Sequence, residues 1–171
     1  MDIFIQIIGI VAMIFSVFSF QMNKHKHIMI MQIAATSFFG LQYFLLGAYT
    51  GMAVDIVATI RGIVFYNKDK KWASSNIWIG VFVALFIISG IFTWNGPSSL
   101  LMTAAMVLNT FSFSFTKPKL VRSTILVSSP MVLIYDILTG SIGGIINEVC
   151  VEISSIVGLL RYDLKRKSLN S

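Results

Sequence analysis

Seven apolar stretches follow one another along the chain, at about residues 3–21, 27–46, 50–66, 76–93, 98–115, 120–138 and 143–161, with little sequence between them. Each is long enough, or nearly so, to cross about 30 Å of hydrocarbon at about 1.5 Å per residue. Composition agrees: 56% of the 171 residues are hydrophobic and 12% are charged, where a soluble domain carries roughly 25% charged. Most of the surface must therefore meet lipid. Seven spans and their turns leave no room for a separate soluble catalytic domain. The single cysteine, Cys150, lies inside an apolar run, which excludes a secreted disulfide scaffold. The first stretch could imitate a signal peptide, but Asp2 stands where a positive flank is needed and no small-residue cleavage site follows, so a retained first helix is expected.

The breaks between the stretches have turn chemistry. Asn23-Lys24-His25-Lys26 follows the first, Gly47 and Gly51 bracket the second turn, and Asn67 to Lys71 follow the third. Asn95-Gly96-Pro97, Lys117-Pro118-Lys119 and Gly140-Ser141-Ile142-Gly143-Gly144 open the last three. Twelve of the thirteen Lys and Arg residues fall in alternate connections or in the tail: Lys24 and Lys26; Lys68, Lys70 and Lys71; Lys117, Lys119 and Arg122; Arg161, Lys165, Arg166 and Lys167. The turns near Ala48, Asn95 and Ser141 carry none. The positive-inside rule then predicts an external amino terminus and a cytoplasmic carboxyl terminus, which requires an odd number of spans. A basic net charge of +6 also suits nucleic-acid binding, but here the cations sit singly or in threes beside lipid-length helices, so no nucleic-acid partner is expected. Anionic inner-leaflet lipid beside the basic loops and tail is the expected partner for them.

Shifting the chain by 93 residues lays spans one to three on spans five to seven without a gap. Eleven of the forty-seven positions from Phe18 to Val64 are then identical, which between apolar helices is weak by itself. The polar and glycine matches carry the repeat: Ser19-Phe20 on Ser112-Phe113, Lys24 and Lys26 on Lys117 and Lys119, Gly47 and Gly51 on Gly140 and Gly144, Asp55 on Glu148. Three helices per repeat return the chain to the wrong side, so a fourth is needed as a linker, and Ile77 to Thr93 is the least polar span. The expected fold is all-α and transmembrane: seven helices, two parallel three-helix-bundle repeats joined by a linker helix. The boundaries are 1–66 for the first repeat, 67–96 for a cytoplasmic loop and linker, 97–162 for the second repeat and 163–171 for a basic tail.

A 3+1+3 parallel repeat with Phe20-x-x-x-Lys24-x-Lys26 after the first span resembles the SWEET, PQ-loop and PnuC superfamily. Phe44-Leu45-Leu46-Gly47-Ala48-Tyr49 running to Arg61, with Gly140-Ser141-Ile142-Gly143-Gly144 followed by Glu148, resembles more closely the bacterial inner-membrane YgjV family. The resemblance covers most of the chain and implies a multi-pass protein of the bacterial cytoplasmic membrane with kinship to transporters, not a substrate. The Pro-Gln dipeptide of the wider superfamily is missing from both repeats, with Phe20-Gln21 near its first expected place. Pro130, inside the sixth span, is the one mid-helix proline and the candidate hinge.

Two matching stripes carry the candidate chemistry. The third span presents Gly51, Asp55, Thr59 and Gly62, and the seventh presents Gly144, Glu148, Glu152 and Ser155. Steps of four, four and three keep each set on one helix face. An acid near a helix centre costs about 2.5 to 3.5 kcal/mol on insertion scales, so such residues must face protein or water. At about 1.5 Å per residue, Asp55 lies about 7 Å from its helix end, Glu148 slightly deeper and Glu152 near mid-membrane. Glu148, Asp55, Glu152, Asn109 and Thr59 are the candidates for substrate or proton binding, and the alternative for each acid is a structural hydrogen bond to a neighbouring helix. Arg61 is either a charge partner on another span or a lipid anchor that snorkels. Other polar pairs across the repeat are Ser16 with Asn109, Thr36 with Ser129, Gln42 with Tyr135 and Tyr43 with Asp136; ties between helices explain most such groups, and Asp136 is expected at the interface. His25 and His27 lack a neighbouring thiolate or carboxylate, so no metal site is expected. Trp72, Trp78 and Trp94 suit an interfacial belt.

With no nucleophile-base pair, phosphate loop or cofactor motif, neither an enzyme nor a cofactor is expected. The expected function is a small-solute transporter, facilitating or proton-linked, for a small cationic or neutral polar metabolite bound between the repeats. The alternative is a non-transporting sensor or assembly protein whose stripes are helix-packing surfaces. Homo-oligomerisation is open.

Overall fold

The protein is described by a computed structural model over residues 2–21, 25–112 and 118–159. Its helices are α1 Ile3–Gln21, α2 His25–Leu45, α3 Tyr49–Tyr66, α4 Ile77–Phe92, α5 Pro97–Ser112, α6 Pro118–Thr139 and α7 Ile142–Gly158. Among the described residues there is no strand. All seven coincide with the apolar stretches to within a few residues. Lys24, Lys117 and the basic tail 163–171 lie outside the described residues, as does Arg161.

Local chemistry sets the helix ends. Pro97 and Pro118 are the first residues of α5 and α6, where a missing N–H costs nothing and the fixed φ suits the helix. Gly47 and Gly140 follow α2 and α6 with φ of 72° and 75°, a conformation that a Cβ opposes. Each closes the same motif: Ala48 N–H donates to Tyr43 C=O over 2.8 Å, and Ser141 N–H to Asp136 C=O over 3.0 Å. Ser141 then caps α7 by accepting from Gly144 N–H at 3.2 Å.

The helices close into a ring. Within it α2 packs against α1 and α3, α6 packs against α5 and α7, α1 meets α7 and α3 meets α5, while α4 lies outside against α3 and α5. Phe82 and Phe86 of α4 are fully buried in that contact. The outer surface is apolar: Ile3, Ile77, Phe92, Ile137, Leu138 and Ile153 are all more than half exposed, a girdle that hydrocarbon can solvate and water cannot. Among the described residues α3 is long and apolar enough to cross a bilayer by length and composition, and apolar stretches of 10–17 residues cover Ile3–Ser19, Met29–Leu45, Ile77–Phe92 and Ser123–Thr139.

The two ends of the bundle differ in charge. Lys26 Nζ lies 3.0 Å from Asp69 Oδ2, joining the first turn of α2 to the α3–α4 connection. The hydrogen bond and charge of Asp69 raise the Lys26 pKa above its ordinary value, although so exposed a pair adds little stability. At the opposite end the connections around Ala48, Asn95 and Ser141 are uncharged.

Candidate functional site

A cavity of about 460 Å³ lies inside the ring, walled by α1, α2 and α3 on one side and α5, α6 and α7 on the other. It runs from Tyr43 and Asp136 towards Met29, in the first turns of α2, and Ser112, the last residue of α5. It therefore extends towards the Lys26 end. Polar groups in its wall come from all six helices, among them Ser16, Gln32, Asp55, Asn109, Ser129 and Glu148.

At its closed end α2 and α6 meet through side chains 93 residues apart. Tyr43 of α2 donates a hydrogen bond to Asp136 Oδ1 of α6, and both residues are buried. Each leans on a glycine of the following helix. A Cβ on Gly51 would lie 2.8 Å from the Tyr43 ring, and one on Gly144 would lie 2.5 Å from Asp136 Cγ. Tyr135 stands edge-on to Tyr43, with centroids 5.7 Å apart, and its hydroxyl accepts from Gly51 N–H at 2.8 Å.

Beyond this floor the bundle is laced shut. Gln6 Nε2 donates to Gly140 C=O at 3.0 Å, and Gln6 Oε1 accepts from Ile142 N–H at 3.0 Å and Gln42 Nε2 at 3.3 Å. Ser141 Oγ donates to Gln42 Oε1 at 2.9 Å. On the other side of the ring Thr50 Oγ1 donates to Thr93 C=O at 2.6 Å and lies 2.9 Å from Ser99 Oγ. Gln6 and Ser99 are themselves 93 residues apart, and Gln6 engages the first turn of α7 as Ser99 engages that of α3.

The sequence-derived candidates divide. Glu148, Asp55, Asn109 and Arg61 all line the cavity. Glu148 accepts from Ser129 Oγ at 2.6 Å and from its neighbour Asn147 Nδ2 at 3.1 Å. Asn109 Oδ1 accepts from Ser128 Oγ at 2.6 Å. Asp55 is buried, and its Oδ2 has no hydrogen-bond partner. Three candidates lie elsewhere. Thr59 turns to α2, where its hydroxyl is 2.8 Å from that of Thr36, and it lines a separate groove beside Phe44 and Ile60. Glu152 and Pro130 are absent from the cavity wall. Gly62, from the same stripe, packs against Ile33 of α2.

Two readings from sequence are sharpened. Asp136 lies near the end of α6 but does not face outwards: its side chain is fully buried at the cavity floor, because its face of α6 points into the ring. Arg61 does not snorkel to lipid. It is 8% exposed, donates to Thr110 Oγ1 at 2.7 Å and sits 5.2 Å over the Phe86 ring, so α4 and α5 hold it inside. Sequence reasoning missed Asn147, whose position beside Glu148 falls off the stripe, and Gln6, whose polarity in the first apolar run was its only signal.

The sequence model of the Imp-YgjV family, described as bacterial inner membrane protein, matches residues 3–166. The chain belongs to this family. The match encloses all seven helices and every residue of the cavity wall, so helices and cavity both belong to an inner-membrane protein. No curated protein and no solved structure matches the chain significantly.

Proposed function

We propose that the protein is a small-solute transporter of the bacterial inner membrane, with its binding site in the cavity between two three-helix repeats. The observation that carries this reading is the cavity itself. Stripes serving only as packing surfaces would close on each other, whereas Asp55 of α3 and Glu148 of α7 face a shared space of about 460 Å³. That is within the range of small-molecule sites, and acids at membrane depth mark solute or ion pathways.

The repeat and its orientation are part of the proposal. Every ring contact is matched by its partner under the 93-residue shift: α1·α2 by α5·α6, α2·α3 by α6·α7 and α1·α7 by α5·α3. The Gly47 and Gly140 turns and the Gln6 and Ser99 seams follow the same rule. The rocking of one triple against the other would open the laced end while closing the Lys26 end, with a solute shifting the balance only as far as it distinguishes the two states. With the amino terminus external, the structure corresponds to the state closed to the outside. Pro130, which leaves the Leu126 carbonyl without its helical partner, is the proposed hinge. Three acids against one arginine in the wall favour a small cationic or neutral polar solute over an anion.

Uptake and counterflow in proteoliposomes against a metabolite panel test the reading. Wild type exchanges at least one solute and Glu148→Gln loses that exchange. Equal exchange by both removes Glu148 from the mechanism, and no exchange of any solute favours a non-transporting sensor or assembly role.

A further inference from the structure

The floor of the cavity is one-sided in its hydrogen bonding. Its donors are already used internally: Tyr43 O–H on Asp136, Ser129 O–H and Asn147 Nδ2 on Glu148, and Gly51 N–H on Tyr135. Three acceptors remain. Asp55 Oδ2, Asp136 Oδ2 and Asn147 Oδ1 are buried without a hydrogen-bond partner, and all three residues line the cavity while being 5%, 0% and 7% exposed. Buried polar atoms are nearly always paired, so three orphans of one kind at one end of a cavity mark a place where a ligand completes the set.

We infer that the cavity floor binds the primary ammonium group of a small solute, received by the free oxygens of Asp55, Asp136 and Asn147. The inference rests on the cavity being a solute site, as proposed above, and names the solute's class. An ammonium offers three donors and no acceptor, which matches three acceptors and no spare donor once its charge holds the Asp55 and Asp136 carboxyls ionised. A hydroxyl brings one donor and no charge to hold the two carboxyls ionised. A quaternary ammonium has the charge but no N–H, and leaves all three oxygens unpaired. The remainder of the solute lies towards Met102, Met106 and Val132, whose side chains supply an apolar wall.

The test is calorimetric titration of the purified full chain in detergent with ethanolamine, choline and ethylene glycol. Ethanolamine binds, and the other two bind at least about tenfold more weakly, as expected for losing a hydrogen bond to a charged group. Asp55→Asn weakens ethanolamine binding by a similar factor, while Cys150→Ser, on the exposed face of α7, leaves it unchanged. Ethylene glycol binding as tightly as ethanolamine overturns the inference, as does choline doing so, or no binding by any of the three. The comparison of the three probes on wild type stands even if Asp55→Asn fails to fold. Ethanolamine binding without counterflow contradicts the transporter reading alone. Counterflow of other solutes without ethanolamine binding contradicts the ammonium site alone.

Discussion

Tyr43 and Asp136 stand 93 residues apart in sequence and touch each other directly, and under the proposed repeat they are equivalent positions beside its axis. Removing the hydroxyl leaves both Asp136 oxygens unpaired in a buried site, at a cost of about 1–3 kcal/mol. Tyr43→Phe should therefore lower the thermal midpoint in detergent measurably, whereas Tyr66→Phe, at the far end of α3, should not. The register that pairs Tyr43 with Asp136 was legible in the sequence, but its meaning was not. Counting from a helix end gives the depth of a side chain, and only packing decides whether that depth faces lipid or the axis. Arg61 makes the same point: its long aliphatic stem would have let it snorkel, and Thr110 and Phe86, on helices remote in sequence, hold it inside instead.

The elements were the most legible level, because an apolar run bounded by glycine, proline or lysine admits few readings. The stripes on α3 and α7 were legible by half. Gly51 and Asp55 face the axis, whereas Thr59 and Gly62 face α2, since a helix that crosses its neighbours at an angle changes partner along its length. Close approach between α1 and α7 makes a sharper prediction. A Cβ on Gly143 would strike the backbone of Gly9, while one on Gly80 of α4 meets nothing within 4 Å. Gly143→Ala is thus expected to destabilise by about 1–3 kcal/mol through overpacking, and Gly80→Ala to stabilise by up to about 1 kcal/mol through helix propensity. Thermal unfolding of the two variants side by side checks the contrast. For α6, Pro130→Ala restores the missing helical hydrogen bond; if the hinge lies there, exchange slows while solute affinity is retained, and unchanged exchange assigns the hinge elsewhere.

For the whole molecule, charge sorting and the 93-residue register fixed expectations that no single helix could. The charge sorting required an odd number of spans, and with the repeat it made seven the expected count. The cavity was not legible, because an empty volume depends on how six helices fail to meet. Orientation is open to labelling in a Cys150→Ser background: Asn95→Cys should react with an impermeant thiol reagent added outside intact cells, and Lys70→Cys only after permeabilisation. The central claim, that the cavity is a transport site visited from both sides, is tested most directly by Asn109→Cys in the same background, labelled with the impermeant reagent from each face of the membrane in turn. Reaction from both faces is the predicted result. Reaction from one face only, or from neither, would contradict it.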